Sequence, residues 1–323
     1  MILAAGEATR LRPLSELLPK ALVPIVNRPV MEYVVRLLVK HGWGEILANL
    51  CHLGEKIEAH FGSGAQLGAK IAYQREETLL GTAGSVKYAR DFFDGTFLVI
   101  GCDDLTDIDL SLLLDFHRRS RALATIAVLP VTDTTQYGVV VTQPDGRIVR
   151  FVEKPRPEEA PSNLANTGVY LFEPEIMDFI PEGQFYDFGR QVFPSLLEKG
   201  QPFYACQVQC TWRDIGTIQE YLQANFDLLD QEAPRATTPG FLLGSACAAA
   251  PTADLKPPVA LGDGATVASW AQVGPHVVLG PGSYVGARAS LERAVVWPEV
   301  AVESSARVSN AVVTSQGAVP AAP

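Results

Sequence analysis

The sequence predicts an α/β protein: a mixed, mostly parallel β-sheet with helices on both faces, followed by a parallel β-helix of hexapeptide repeats. Three observations carry this. Strand-like apolar runs alternate with amphipathic helical stretches as far as Leu229, then a segment rich in Pro, Ala, Thr and Gly intervenes, and beyond it aliphatic residues recur every six positions. The resulting divisions are a first domain over 1–229, a linker over 230–255 and a β-helix over 256–319. With 323 residues and 47% hydrophobic content the chain can bury a core of that size.

In order, the candidate strands are MILAA at the start, EILANL (45–50), AKIAYQ (69–74), GTFLVIG (95–101), ATIAVLPV (124–131) and GVYLFEP (168–174). Between them PVMEYVVRLLVKHG (29–42) and SLLLDFHRRSR (111–121) have the period of amphipathic helices, and TIQEYLQANFDLLDQ (217–231) closes the domain. GVVVTQPDGRIVRFVEKP reads as an antiparallel hairpin turning at Pro144-Asp145-Gly146, which makes the sheet mixed. In the tail, Leu261, Val267, Val273, Leu279, Val285 and Leu291 are six apart; after a slip of one residue Val296, Val302 and Val308 continue. Such spacing stacks one aliphatic residue per side into an internal column, whereas a helix would need a 3.6 period. Trp270, Tyr284 and Trp297 are expected partly outside the coils, and the column to end exposed near Pro320.

The net charge of −10 excludes general affinity for nucleic acid or acidic membranes. Five scattered cysteines with no Cys-x-x-Cys pair suggest neither a disulfide framework nor a zinc site, and a reducing cytoplasm is the expected location. No run of about 18 uninterrupted apolar residues is present. Against this acidic background, LAAGEATRLRPLSELLPKALVPI (3–25) places a strand, a small-residue turn and the cations Arg10, Arg12 and Lys20 close together. A turn after the first strand of an α/β sheet lies at the ligand-binding edge, where small residues let backbone N–H groups approach phosphate. Arg10 can add a forked contact and Lys20 a point charge, so a small anionic ligand is expected.

The segments Leu3-Ala4-Ala5-Gly6, Thr9 to Leu14, Pro19 to Pro24, Gly81-Thr82-Ala83-Gly84, Asp103 to Leu110, Glu153-Lys154-Pro155, Asn166-Thr167-Gly168 and Trp212 to Thr217 together resemble the nucleotidyltransferase family that makes nucleotide sugars. They occur in family order, and the tail with ERAVVWPEV is most similar to mannose-1-phosphate guanylyltransferases. The resemblance implies a Rossmann-like domain, a left-handed β-helix, and transfer of a nucleotidyl group from a nucleoside triphosphate to a sugar 1-phosphate; the exposed column end and apolar residues of the tail are expected to pack against the first domain or another subunit, which makes a homo-oligomer the expected assembly. It implies catalytic roles for Arg10, Lys20 and Lys154, the last at the sugar phosphate. Leu3, Ala4, Ala5, Gly6, Glu76, Gly81 and Thr82 would bind nucleotide, Gly138, Glu153 and Asn166 the sugar, and Asp103 and Asp214 a Mg²⁺ ion. In such a reaction three anionic groups meet at one α-phosphorus, so positioning and charge neutralisation do most of the work.

Three residues depart from the family pattern. Ala8 stands at the second turn glycine, Cys102 replaces the glycine before Asp103, and Gln191 occupies a place often held by Asp. A non-catalytic nucleotide-sugar sensor on the same fold is the alternative reading, and an acyltransferase of the β-helix type, for which His276 is the candidate histidine, is a third. Glu76 or Glu77, just before Gly81-Thr82-Ala83-Gly84, is expected to face the base. A buried carboxylate can accept from both the ring N–H and the amine of guanine, which favours GTP over UTP and dTTP.

Overall fold

The computed structural model describes residues 1–321. They form two compact units, the first comprising Met1–Glu7, Pro19–Ala21 and Met31–Asp214, the second Ala8–Leu18, Leu22–Val30 and everything from Ile215 onward. The division after Asp214 departs from the expected boundary at residue 229, because the helix Ile218–Glu232 belongs with the tail.

A nine-stranded sheet organises the first unit. Its strands are β1 (Ile2–Leu3), β2 (Glu45–Leu50), β3 (Lys70–Arg75), β4 (Phe97–Gly101), β5 (Ala124–Pro130), β6 (Gly138–Thr142), β7 (Ile148–Glu153), β8 (Leu164–Phe172) and β9 (Phe203–Gln207). The order is β7-β6-β8-β4-β1-β2-β3, with β5 on the other flank of β8 and β9 beyond β5. Pairings β1–β2, β1–β4, β2–β3 and β5–β9 are parallel, so only β7 and β8 run against the rest. The sheet is therefore mixed but mostly parallel, as read. Continuous apolar runs suit such buried strands: Phe97, Leu98, Val99 and Ile100 are all buried.

One irregularity in this sheet creates the cavity. Along one flank of β8, β6 pairs near Ala165 and β4 pairs from Tyr170 to Phe172, so two strands follow each other end to end. Between these pairings lie Asn166, Thr167 and Gly168, where the register with β5 also shifts and Gly168 takes φ +81°. Strand ends and a backbone bulge thus meet in one place.

Helices α1 (Val30–Lys40), α2 (Gly54–Phe61), α3 (Gly81–Tyr88) and α4 (Leu110–Ser120) connect the strands. The Asp109 side chain accepts from the N–H groups of Ser111 and Leu112 to start α4, and Arg121 ends it at φ 47°. Gly81-Thr82-Ala83-Gly84 forms the first turn of α3.

In the second unit α5 (Ile218–Glu232) precedes a stack of parallel strands. Phe241–Leu243 pairs with Val259–Leu261, then with Val277–Leu279, Ala294–Val296 and Ala311–Val313. The step is 18 residues from Val259 to Val277 and 17 from Val277 to Ala294, which locates the slip in the hexad spacing. Leu261, Val267, Val273, Leu279, Val285, Leu291, Val296 and Val302 are buried in the expected column, whereas Val308, expected with them, is only half-buried. Gly262 and Gly280 allow the corners to stack: a Cβ would lie 2.5 Å from Pro281 N and 2.4 Å from Pro298 N respectively.

Three readings of this region need correction. Residues 241–255, expected as linker, form the first coil of the stack, with Ala248–Ala249 on Thr266–Val267 and Asp254–Leu255 on Gln272–Val273. Trp297 is buried and donates to the Tyr221 hydroxyl at 3.0 Å, whereas Trp270 and Tyr284 are exposed as expected. His276, read as a surface residue, is half-buried, bonded to Asp230 at 2.9 Å and packed against Phe226. Among the described residues no helix is long and apolar enough to cross a membrane, and all five cysteines are free.

Candidate active site

A cavity of about 500 Å³ opens where β1, β2 and β4 end and β8 bulges. Its walls include Leu3, Ala5, Gly6, Glu76, Gly81, Thr82, Asp103, Gly138, Glu153, Lys154, Asn166 and Asp214, so most of the residues singled out in the sequence converge. A Cβ on Gly6 would meet nothing within 4 Å, so space lies beside this turn.

At one wall, a two-stranded ribbon pairs Asp104–Thr106 with Trp212–Asp214 in antiparallel register, Asp214 opposite Asp104. This brings Asp214 to Asp103 although they are far apart in sequence. Lys20 bridges them, donating to Asp103 Oδ2 and, at 3.3 Å, to Asp214 Oδ1. Asp104 lies behind: it is buried, accepting from Gly101 N–H and the Trp212 indole at 3.0 and 3.1 Å. Burial, then the charge of Asp214, push its pKa up to about 7, against the hydrogen bonds from Trp212 and Gly101 and the charge of Lys20. A Cβ on Gly101 would sit 2.7 Å from both Asp103 and Asp104 oxygens, so the approach requires glycine there. Cys102 is buried and its thiol is pushed up to about 12, chiefly by desolvation, so it is an inert filler.

At the nucleotide side of the expected site, a buried side chain missing from the sequence reading joins three segments. Asn49 accepts from the Ala4 N–H at 2.7 Å and donates to Glu76 Oε1 at 2.8 Å and Ser85 Oγ at 3.1 Å. Glu76 Oε2 in turn accepts from the Leu80 N–H at 3.1 Å. Glu76 is therefore buried, as expected of one of the two glutamates, but both its oxygens hold the wall together; Glu77 is exposed. Thr82 is similarly engaged, its hydroxyl donating to Asp187 and accepting from Phe188 N–H, both at 3.0 Å. Gly81 has φ +73°, and a Cβ would lie 2.5 Å from Tyr186 O.

The opposite wall holds Glu153 between glycines. Glu153 pairs with Gly138 across the hairpin, and a Cβ on Gly138 or Gly189 would stand 2.8 or 2.6 Å from Glu153 Oε2. Burial and the nearby Asp187 raise the Glu153 pKa, while Lys154 and Arg190 oppose this. Lys154 has φ 47°, a conformation that costs a side-chain-bearing residue about 1–2 kcal/mol and turns the chain out of the strand before Pro155. Asn166 accepts from Gly168 N–H and donates to the Tyr170 hydroxyl, fixing the bulge. Gln191 accepts from the Asp187 N–H at 2.7 Å, which anchors this segment without a carboxylate.

Arg10 lies in the second unit, where a Cβ on Gly216 would come within 2.9 Å of its guanidinium. Ala8, in the same unit, has φ 49°. The departure from glycine at this position is thus a backbone cost, of about 1–2 kcal/mol, rather than only an added methyl group.

Fold and site together define an α/β protein whose strand-end cavity presents carboxylates and cations to a ligand. Residues 1–231 match the family described as nucleotidyl transferase. A UTP–glucose-1-phosphate uridylyltransferase of Synechocystis is 43% identical over 74% of this chain and 66% of its own length. Mannose-1-phosphate guanylyltransferase of Mycobacterium tuberculosis is 35% identical over 72% of this chain and 65% of its own, and the catalytic subunit beta of the Danio rerio enzyme 36% over 75% and 69%. The chain thus spans about two thirds of the length of these relatives. A crystal structure from Bacillus anthracis, assigned as a glucose-1-phosphate thymidylyltransferase, shares the fold with a TM-score of 0.63 at 23% identity, covering 69% of this chain and 92% of that one. The chain belongs to the nucleotidyl transferase family.

Proposed function

We propose that the protein transfers a nucleotidyl group from a nucleoside triphosphate to a sugar 1-phosphate, giving a nucleotide sugar and pyrophosphate. The observation that carries this is the meeting of Lys20, Asp103 and Asp214 on the same cavity that Glu153, Lys154 and Asn166 line. A sugar-phosphate oxygen forms a bond to the α-phosphorus as the bond to the β-phosphate oxygen breaks, so charge accumulates at both ends of the transferred group. Lys154 neutralises the attacking phosphate and Lys20 the leaving pyrophosphate. Glu153 and Asn166 orient sugar hydroxyls, with Gly138 leaving room for them, and the turn Leu3-Ala4-Ala5-Gly6 with Gly81 and Thr82 forms the nucleotide wall. Asn49 and Glu76 hold that wall in place.

Asp103 and Asp214 have the hard oxygen donors that suit Mg²⁺. Among the described residues no group of three or more His, Cys, Asp or Glu could hold a metal ion, so an ion on these two carboxylates would take phosphate and water as its other ligands. Its chemistry there would be neutralisation of phosphate charge.

Two substrate pairs have support. UTP with glucose 1-phosphate is favoured by the 43% identity to the Synechocystis relative. GTP with mannose 1-phosphate, expected from the sequence, is supported by the burial of Glu76 in the cavity wall, though that carboxylate already accepts two hydrogen bonds. The C-terminal stack is proposed to be a left-handed β-helix. We place the reaction in the cytoplasm, where free thiols persist. Incubation with Mg²⁺, each nucleoside triphosphate and a panel of sugar 1-phosphates, following pyrophosphate release, tests the reading. Release with at least one pair is expected; none with any pair would leave a nucleotide-sugar sensor instead.

A further inference from the structure

Of the described residues that expose a large apolar side chain, Phe185 alone lines the candidate active-site cavity, and it is 55% exposed. The other aromatic groups in that wall are engaged elsewhere. Tyr170 and Phe188 pack on each other and on Phe172, and the Trp212 indole donates to Asp104 and meets the Tyr137 ring edge-on.

Backbone, not ring packing, holds Phe185 there. The Tyr186 N–H donates to Leu80 O at 2.8 Å, and Tyr186 O accepts from the N–H groups of Ala83 and Gly84, both at 3.0 Å. A Cβ on Gly84 would stand 2.8 Å from Gln184 O, and one on Gly81 3.2 Å from the Phe185 ring, so the segment lies directly on the first turn of α3. Asp187 continues the clamp, accepting from the Thr82 hydroxyl and donating its N–H to Gln191. A segment fixed on both sides keeps the ring out of the core, and an aromatic ring left in water forgoes apolar burial that a ligand can restore.

We propose that Phe185 is a binding platform for the hexose, its ring packed against the C–H face of the sugar; the ligand rests on the nucleotidyl-transfer reading. Position and chemistry select this partner. The segment that carries Phe185 runs on to Gly189, where a Cβ would stand 2.6 Å from Glu153 Oε2, so it links the turn at Gly81 to the sugar wall. Glu153, Asn166 and Lys154 suit the hydroxyl and phosphate edge of a sugar phosphate and leave the faces of its ring uncovered. Those faces carry C–H groups made slightly positive by the neighbouring oxygens, and the face of an aromatic ring is the negative part of its quadrupole.

Saturation-transfer NMR tests this, with the protein's aromatic protons irradiated and UDP-glucose or GDP-mannose as the probe. Without pyrophosphate neither probe reacts, and each carries base, ribose and hexose protons on one molecule. Transfer to the hexose C–H protons is expected in the wild type, to fall sharply in Phe185→Leu and to persist in Phe185→Tyr. In steady-state assays Phe185→Leu should raise KM for the sugar 1-phosphate about tenfold and leave KM for the nucleoside triphosphate nearly unchanged. The proposal is overturned by hexose transfer that Phe185→Leu leaves intact, by a loss confined to ribose or base protons, by no transfer from either probe, or by an equal rise in both KM values. Hexose transfer that depends on Phe185, in a protein that releases pyrophosphate with no substrate pair, would sink the catalytic reading and leave the platform standing.

Discussion

In the first unit the buried interior holds Asn49, Glu76, Ser85, Asp104, His117, Thr125 and Thr167, most of them hydrogen-bonded to one another or to backbone. The stacked coils of the second unit bury instead an aliphatic column, with Ser283 and Thr314 as the buried polar side chains among their described residues. The two cores are closed by different physics. A repeated column gains stability from each equivalent methyl group and is indifferent to which coil supplies it, whereas a buried polar network fixes a single geometry, because leaving any one group unpaired is expensive. Substitutions at the part-exposed cavity carboxylates of the first unit should remove function at small cost to the fold, those in its buried polar network should cost stability as well, and those in the coils should cost the fold alone.

The sharpest way to break this contrast is at the carboxylates. Asp103→Asn and Asp214→Asn should each lower kcat/KM by roughly 100-fold or more while leaving the melting transition nearly in place. Turnover at wild-type level in both variants would remove the shared site and with it the contrast. Next in size, Leu279→Ala in the column should cost about 2–5 kcal/mol in denaturant titration with turnover per folded molecule unchanged. A loss below about 1 kcal/mol would mean that the coils collapse around the missing methyl groups.

Asn49→Ala tests a polar position that touches no proposed reacting group. It should lower stability by about 1–3 kcal/mol and raise KM for the nucleotide more than for the sugar phosphate, since Ala4, Glu76 and Ser85 lose their shared partner. An equal rise in both KM values would make the network merely structural. The smallest expected effect concerns His117, bonded to Thr125 at 2.7 Å and Glu173 at 3.0 Å, whose pKa burial holds below the ordinary 6.5. As pH falls through 6.5 the unfolded chain takes up this proton before the folded one, so stability drops on acidification. Its share of the slope is at most about 1.4 kcal/mol per pH unit, and His117→Gln should flatten the profile between pH 7 and 5.5. An unchanged profile would show that His117 does not set it.

Period and local motif were legible in the sequence. The hexads from Leu261 onward appear as the buried column, EILANL is β2 residue for residue, and the hairpin turns at Pro144-Asp145-Gly146 as read. Residues 241–255 were not legible as a coil because Ala249 supplies too little apolar bulk at its column position, even though Leu243, Ala249 and Leu255 keep the six-residue spacing. In Gly81-Thr82-Ala83-Gly84 two glycines disfavour helix, but Tyr186 O accepts from the N–H groups of Ala83 and Gly84 and holds that first turn.

By itself the sequence determined the two kinds of architecture, the family motifs and which residue types would surround the cavity, because each depends on patterns spanning a few neighbours. Only the tertiary structure decided that Lys20 stands between Asp103 and Asp214, that Glu76 is occupied by Asn49 and Leu80, and that Lys154 leaves its strand with positive φ. Those outcomes follow from strand order, from the place where β6 and β4 meet along β8, and from the hydrogen bonds that buried groups were forced to find. Residues more than eighty positions apart carry no mark of one another in the chain; their pairing is set when the sheet closes around them.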